Sequence, residues 1–262
     1  MSKDGYKVLA IDMDSQGNLT ELLTNVESNE FIGKSVLEAI VSRSVKDYIV
    51  KVNDHLDVLP ANNFLALLPK WLYTYTLFDN EKVYYTGGTT EQLYLTIEPI
   101  IDQYDFILID TPPSLSEQTT NSLVASDYVI VPFESSYFCL RAIPNFIESV
   151  EHSRKTSKRD VQILGVLRTL NDKRRSDSKL FNETIADTYP ELVFKTIITR
   201  KASTGRLPLS GFDDNQELGD ALEQFRNVYV EIKERLGLGR EVRKGKMKIG
   251  KEVRRLKGKI SK

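Results

Sequence analysis

Asp12 and Asp14 stand directly after the apolar run Tyr6–Ile11 (YKVLAI), and Asp110 stands directly after Asp105–Ile109 (DFILI). A short apolar run, then aspartate, then small or turn-forming residues delivers a carboxylate to the end of a strand. Open parallel sheets bind their ligands at that edge. Hard carboxylate oxygens there suit magnesium, which keeps several of its waters and needs only one or two protein carboxylates. A single strand-end aspartate more often caps a turn or a helix. Two such strands, each continued by an extended motif, point to a shared site.

The elements that must hold these residues alternate along the chain. Strands are expected at Tyr6–Ile11, His55–Leu59, Asp105–Ile109, Tyr128–Pro132, Val161–Leu170 and Val193–Ile198. Helical spacing of apolar residues predicts helices over Ser35–Arg43, Thr90–Gln103, Glu117–Ala125, Ala142–Arg154, Ser178–Thr188 and Asn215–Leu236. DFILI is apolar throughout, as a buried parallel strand would be. Strands alternating with helices of this length imply parallel βαβ units with right-handed crossovers, hence an α/β, doubly wound, mostly parallel sheet with helices on both faces. Asn62–Gly88 is rich in aromatic residues and has no clear period. Ser2–Tyr6 reads as the end of a helix with Gly5 as its C-cap, leading into a strand.

A chain of 262 residues is long enough for one large α/β domain, and no linker interrupts residues 1–239. No run approaches the length of a membrane span, and Met1–Tyr6 carries no apolar signal region. A lone cysteine, Cys139, excludes an intrachain disulfide framework and fits a reducing cytosol. With only His55 and His152 beside it, a zinc site is not expected. The net charge of −1 conceals an asymmetry, because Arg240–Lys262 holds eleven Lys/Arg against two Glu. A basic tail on an acidic body suits a polyanionic partner, either nucleic acid or an anionic membrane.

Five segments in order resemble the ParA/Soj partition ATPases. VLAIDMDSQGNLT (Val8–Thr20) is similar to the family's D-x-D-P-Q-G-N signature, and FILIDTPPS (Phe106–Ser114) to its Walker B motif. YVIVPFESSYFCLRAI (Tyr128–Ile143) resembles the strand and loop in which a Pro and a Tyr precede a helix. VLRTLNDKR (Val166–Arg174) and TIITR (Thr196–Arg200) fall where the family has its base-contacting strands. The agreement runs from about Tyr6 to about Leu236.

The resemblance implies ATP and Mg2+ as cofactors. It implies that Asp14 orients the attacking water, that Asp12 and Asp110 hold magnesium, and that Thr111 orders the magnesium shell. It places Gln16, Gly17 and Asn18 near the phosphates on a dimer-facing side, and Leu170 and Thr199 at the nucleotide. Pro132 and Tyr137 would belong to loops that reorganise when two subunits sandwich ATP, or serve only strand termination and packing. Arg200, Lys201 and Arg206 are the expected contacts to non-specific DNA, where phosphate contacts give salt-sensitive affinity without sequence preference. A ParB-like centromere-binding partner, an ATP-bound homodimer and a cytoplasmic, nucleoid-associated location complete the expectation.

Two departures stand out. Ser15 replaces the family's Pro, which only fixes a backbone angle. The larger one is that no G-x-x-x-x-G-K-[ST] pattern occurs in the 262 residues. Gly87-Gly88-Thr89-Thr90 lacks both the lysine and a preceding strand. Without that loop, the backbone cradle for phosphate, the lysine and the magnesium-binding hydroxyl are missing, so the chain as given is expected to be inactive and to begin inside a missing strand–loop–helix unit. Strand edges beside that unit are expected to be left unpaired, with apolar surface exposed.

In the tail, residues 240–262, Val242, Ile249, Val253, Leu256 and Ile260 follow helical spacing among basic residues, interrupted by glycines. That pattern suits DNA phosphates, an anionic membrane as in MinD-like ATPases, or a disordered solvated tail. Its narrow apolar side without aromatics favours DNA. A non-hydrolysing ParA-like adaptor and a MinD-like membrane ATPase are the alternatives to the partition ATPase.

Overall fold

In the computed structural model, which describes residues 1–77, 88–157, 159–171, 176–201 and 219–238, the first strand, β1 (Val8–Asp12), is buried along its whole length. Its apolar residues on both faces demand neighbours on both sides, and it has them. β3 (Leu56–Leu59) and β4 (Phe106–Asp110) flank it, both parallel, while β2 (Val50–Asn53) runs antiparallel to β3 at the outer edge. A second sheet contains β5 (Tyr128–Glu134), β6 (Gln162–Asn171) and β7 (Val193–Thr199) in that order, with β6 and β7 parallel. The α/β, mostly parallel architecture with helices on both faces is as the alternation of elements requires.

The chain divides into two compact units. Among the described residues, one holds Met1–Val129 and Asn145–Gln162, and the other holds Ile130–Pro144 and Ile163 onward. In the first, Leu9 and Ile11 of β1 meet Leu59 and Ala61, with Val36, Leu37 and Ile40 of α2 (Val36–Ser42), in one buried cluster. Ser35 starts α2 with a reciprocal capping box to Glu38. In the second, Leu167, Phe194, Ile198 and Val228 form the core.

Most expected elements are present with shifted ends. The helix expected over Thr90–Gln103 is α only in α4 (Gln92–Ile97) and tightens to a 3-10 turn over Glu98–Gln103. Pro99 explains the break, since it cannot donate into the preceding turn. α5 (Glu117–Ala125), α6 (Tyr137–Ser157), α7 (Ser176–Thr188) and α8 (Gly219–Arg235) follow the sequence pattern. Among the described residues, two α-helices and one strand were not foreseen: α1 (Asn18–Thr24), α3 (Leu68–Leu77) within the aperiodic aromatic stretch, and β2. The short Ser2–Asp4 turn closed by Gly5 at φ 87° matches the expected helix end.

β4 differs from its sequence pattern. An all-apolar strand should be buried on both faces, yet its one strand partner among the described residues is β1. Ile107 and Ile109 pack on the first unit's core, while Leu108, on the opposite face, is 47% exposed. Arg206 and the basic tail 240–262 lie outside the described residues.

Candidate magnesium and nucleotide site

Asp12 and Asp110 are register partners at the carboxyl ends of β1 and β4. The chain turns out of β1 through Met13, whose N–H donates to the Asp110 carbonyl at 2.8 Å. Two strand ends that are far apart in sequence are thereby fixed side by side, and the carboxylates of Asp12, Asp14 and Asp110 share one corner.

Their environments differ. Asp12 is fully buried. Its Oδ2 accepts from Thr20 N at 2.9 Å and Thr20 Oγ1 at 2.7 Å, and its Oδ1 accepts from Asp14 N at 3.1 Å. Burial pushes the Asp12 carboxyl up, and the bonds from Thr20 and Asp14 pull it partly back. Asp14 is half-buried, and its Oδ1 caps the turn by accepting from Gln16 N at 3.1 Å. Asp110 lies on the open side of its strand end, beside the exposed Thr111. Desolvation, then the negative charges of Asp12 and Asp14, push its carboxyl up to about 6.

Gly17 makes this turn possible. It holds φ 66° at the start of α1, and a Cβ there would sit 2.5 Å from Ser28 Cβ and 3.3 Å from the Ala61 carbonyl. The side chains of Gln16 and Asn18 are exposed beyond it and bond no described residue.

The donor set fits magnesium. It offers hard oxygens only, and the mutual repulsion that raises Asp110 is what a cation would relieve. Among the described residues, no three carboxylate, imidazole or thiol groups form a ready-made cage. Asp110 and Asp14 present accessible oxygens, whereas Asp12 spends its own on the protein.

The second group of expected residues gathers at the carboxyl ends of β6 and β7. Leu170 sits at φ 51° and is largely exposed. Thr199 N and Oγ1 both donate to Gln224 Oε1, at 2.8 and 2.7 Å. Arg200 N donates to the Asn171 carbonyl at 3.1 Å, and Lys201 follows directly. Pro132 is exposed in β5, and Tyr137 opens α6 with its hydroxyl accepting from Arg141 Nη1 at 3.1 Å. Thr20, Asn171, Asn182 and Gln224 were not singled out from sequence. Thr20, inside the GNLT segment, and Asn171, inside VLRTLNDKR, carried a signal.

A family model described as an AAA domain matches residues 1–163. The sporulation initiation inhibitor protein Soj of Bacillus subtilis is 30% identical over 210 residues, covering 79% of this chain and 78% of that protein. The chromosome-partitioning ATPase Soj of Treponema pallidum is 27% identical over 80% of this chain and 79% of its own. Among solved structures, cobyrinic acid a,c-diamide synthase from Mycobacterium smegmatis with bound ADP and magnesium superposes with a TM-score of 0.65, at 28% identity over 76% of each chain.

Proposed function

The chain belongs to the ParA/Soj-type P-loop ATPases, and from that membership we propose that it supplies the magnesium and water side of an ATP site serving DNA partition. The observation that carries this reading is the juxtaposition of Asp12, Asp14 and Asp110 on neighbouring strand ends.

Magnesium, when bound with ATP, would supply positive charge to offset that of the phosphates. Asp110 would hold that ion, with Thr111 beside it. Asp14 accepts a hydrogen bond from the attacking water and fixes its direction. Asp12 stands behind both, and Gln16 and Asn18 face the phosphates and the second subunit. Positioning and charge supply nearly all the catalysis of phosphoryl transfer, so turnover requires a phosphate-binding loop joined to these residues.

In this reading the ATP-bound form is a homodimer, binds DNA without sequence preference through Arg200, Lys201 and Arg206, and is released by a ParB-like partner that stimulates hydrolysis. The basic segment 240–262 adds phosphate contacts. A second reading is a non-hydrolysing adaptor that binds DNA or a ParA-like partner without turnover.

Retention of random-sequence duplex DNA, with and without magnesium-ATP, separates the two. The chain joined to the strand–loop–helix segment of a Soj relative is expected to hold DNA only with magnesium-ATP and to let go as ATP is consumed. In that fusion, Asp14→Ala is expected to bind ATP but remain on DNA. ATP-independent retention by both the chain and the fusion would establish the adaptor instead.

A further inference from the structure

Within the second unit, α8 runs along β7 in the opposite direction. Near its start, Gln224 Oε1 accepts from Thr199 at the carboxyl end of the strand. Further along, the Glu231 carboxylate accepts from Lys195 N at 2.8 Å and Thr196 N at 3.0 Å. At its end, Arg235 Nη2 donates to the Val193 carbonyl at 2.7 Å. Arg235 Nη1 donates to the carbonyls of Leu164 at 3.0 Å and Leu192 at 3.1 Å. The same guanidinium pairs with Glu231 at 3.2 Å and lies over the Phe194 ring, 4.2 Å from its centroid. Gly165 leaves room for this approach, since a Cβ there would stand 2.8 Å from Arg235 Nη1. α8 thus begins at the edge where β6 and β7 end and is locked at the edge where they begin.

That lock fixes where the basic segment leaves the fold. Gly237, at φ 71°, closes the helix, and Leu238 N donates to the Lys233 carbonyl at 2.7 Å. Arg240, the first of the eleven Lys/Arg, stands two residues beyond Leu238, so the segment is rooted at the amino edge of the strands. Arg200 and Lys201 follow β7 at the carboxyl edge. From Gln224 to Arg235 is about 16 Å of helix. Exposed charges are felt over only about 8–10 Å in physiological salt, so the two basic groups act separately.

The surface between them does not suit phosphate. α7 joins the carboxyl end of β6 to the amino end of β7, and α8 returns beside β7. Among the described residues, the exposed charges on these two helices are Glu183, Asp187, Glu223 and Glu234 against Lys179 and Arg226. Lys179 is itself paired with Glu183 at 3.8 Å. A duplex lying along this band would press its phosphates on carboxylates. A rod with a persistence length of about 50 nm does not fold from one edge to the other. One duplex therefore does not satisfy both basic groups.

We propose that the basic segment 240–262 takes a DNA duplex of its own, so that the chain bridges two duplex segments held at opposite edges of β6 and β7. The proposal rests on the reading of the chain as a DNA-binding partition ATPase. Duplex phosphates are favoured over a lipid surface by the composition of the segment. It has no aromatic residue to seat among lipid headgroups, and Gly245, Gly250 and Gly258 interrupt its apolar spacing. Its affinity is electrostatic and independent of DNA sequence.

The test is a sandwich capture with the 262-residue chain: random-sequence duplex fixed on beads, then protein, then a free fluorescent duplex. The parent is expected to retain the fluorescent duplex. The tail variant Lys251→Gln, Arg254→Gln, Arg255→Gln, Lys257→Gln, Lys259→Gln should stay on the bead duplex and lose about tenfold or more of the fluorescent signal. Arg200→Ala with Lys201→Ala should also stay on the beads, through the tail, and lose the second duplex. Bridging that survives tail neutralisation, as pairing of two subunits alone would give, overturns the proposal. Bridging that survives the loss of Arg200 and Lys201 overturns it too, because both duplexes would then sit on the tail. Tail-dependent sedimentation with phosphatidylcholine–phosphatidylglycerol vesicles, without tail-dependent capture of duplex, would make the segment a membrane anchor instead. If the parent holds the bead duplex through Arg200 and Lys201 but never a second one, the bridge is refuted and the DNA-binding reading survives. If the parent holds no duplex at all, both fall.

Discussion

Thr20 Oγ1 lies 2.7 Å from Asp12 Oδ2 and also accepts from Ala61 N at 2.9 Å. One buried hydroxyl thus joins the end of β1, the first turn of α1 and the segment that follows β3. The turn bearing Asp14 hangs from this junction, because Asp14 N donates to the other Asp12 oxygen.

Thr20→Val keeps the shape and removes the hydroxyl, leaving the buried Ala61 N–H without an acceptor. A loss of about 2 kcal/mol is expected, read by urea unfolding, with Thr20→Ser close to the parent. Equal stability of the Val and parent proteins would show that the junction is not structural.

Gly17→Ala meets two obstacles, a left-handed backbone and the Ser28 side chain at 2.5 Å. A destabilisation of about 2–4 kcal/mol is expected. Gly33→Ala is the control, since φ there is also positive, at 78°, but nothing lies within 4 Å of the added carbon. It should cost the smaller, purely conformational share.

Asp110 sets a pH dependence. Its carboxyl is pushed up to about 6 in the folded chain, so the folded state holds the proton more tightly than the unfolded one. The stability it contributes is complete below the ordinary carboxylate range, near about 4, and is lost as pH rises through the folded value. Thermal melts should therefore decline over that window. Asp110→Asn should flatten the decline, and magnesium should offset it in the parent but not in the variant. A variant that retains the full magnesium response would remove Asp110 from the metal site.

On DNA, the slope of log K against log salt falls by about 0.9 for every phosphate the protein ceases to neutralise. The double variant Arg200→Ala, Lys201→Ala should reduce the slope by about 2 and weaken all duplexes alike. An unchanged slope would place the DNA-binding surface elsewhere.

Sequence spacing made the frame legible. The runs YKVLAI and DFILI became β1 and β4, and their terminal aspartates met as register partners because parallel strands of similar length end together. The terminal Gly5 was equally readable, since caps act within a few residues. α1 was missed because it is a single short helix held by Thr20 and Gly17. β2 and α3 were missed because edge pairing and aromatic packing leave no period in the chain.

What the sequence alone determined is the order of elements and the identity of the acidic corner, because both arise from local patterns: apolar period, strand-end residue and turn chemistry. Only the tertiary structure decided how those residues divide their work. It buried Asp12 and gave its oxygens to Thr20 and Asp14, left Asp110 on the open side of its strand, and brought Asn182 and Gln224 behind Asn171 and Thr199. The physical reason is that desolvation and hydrogen-bond partnership depend on neighbours that are distant in sequence, and no local pattern encodes which polar atom will find its partner.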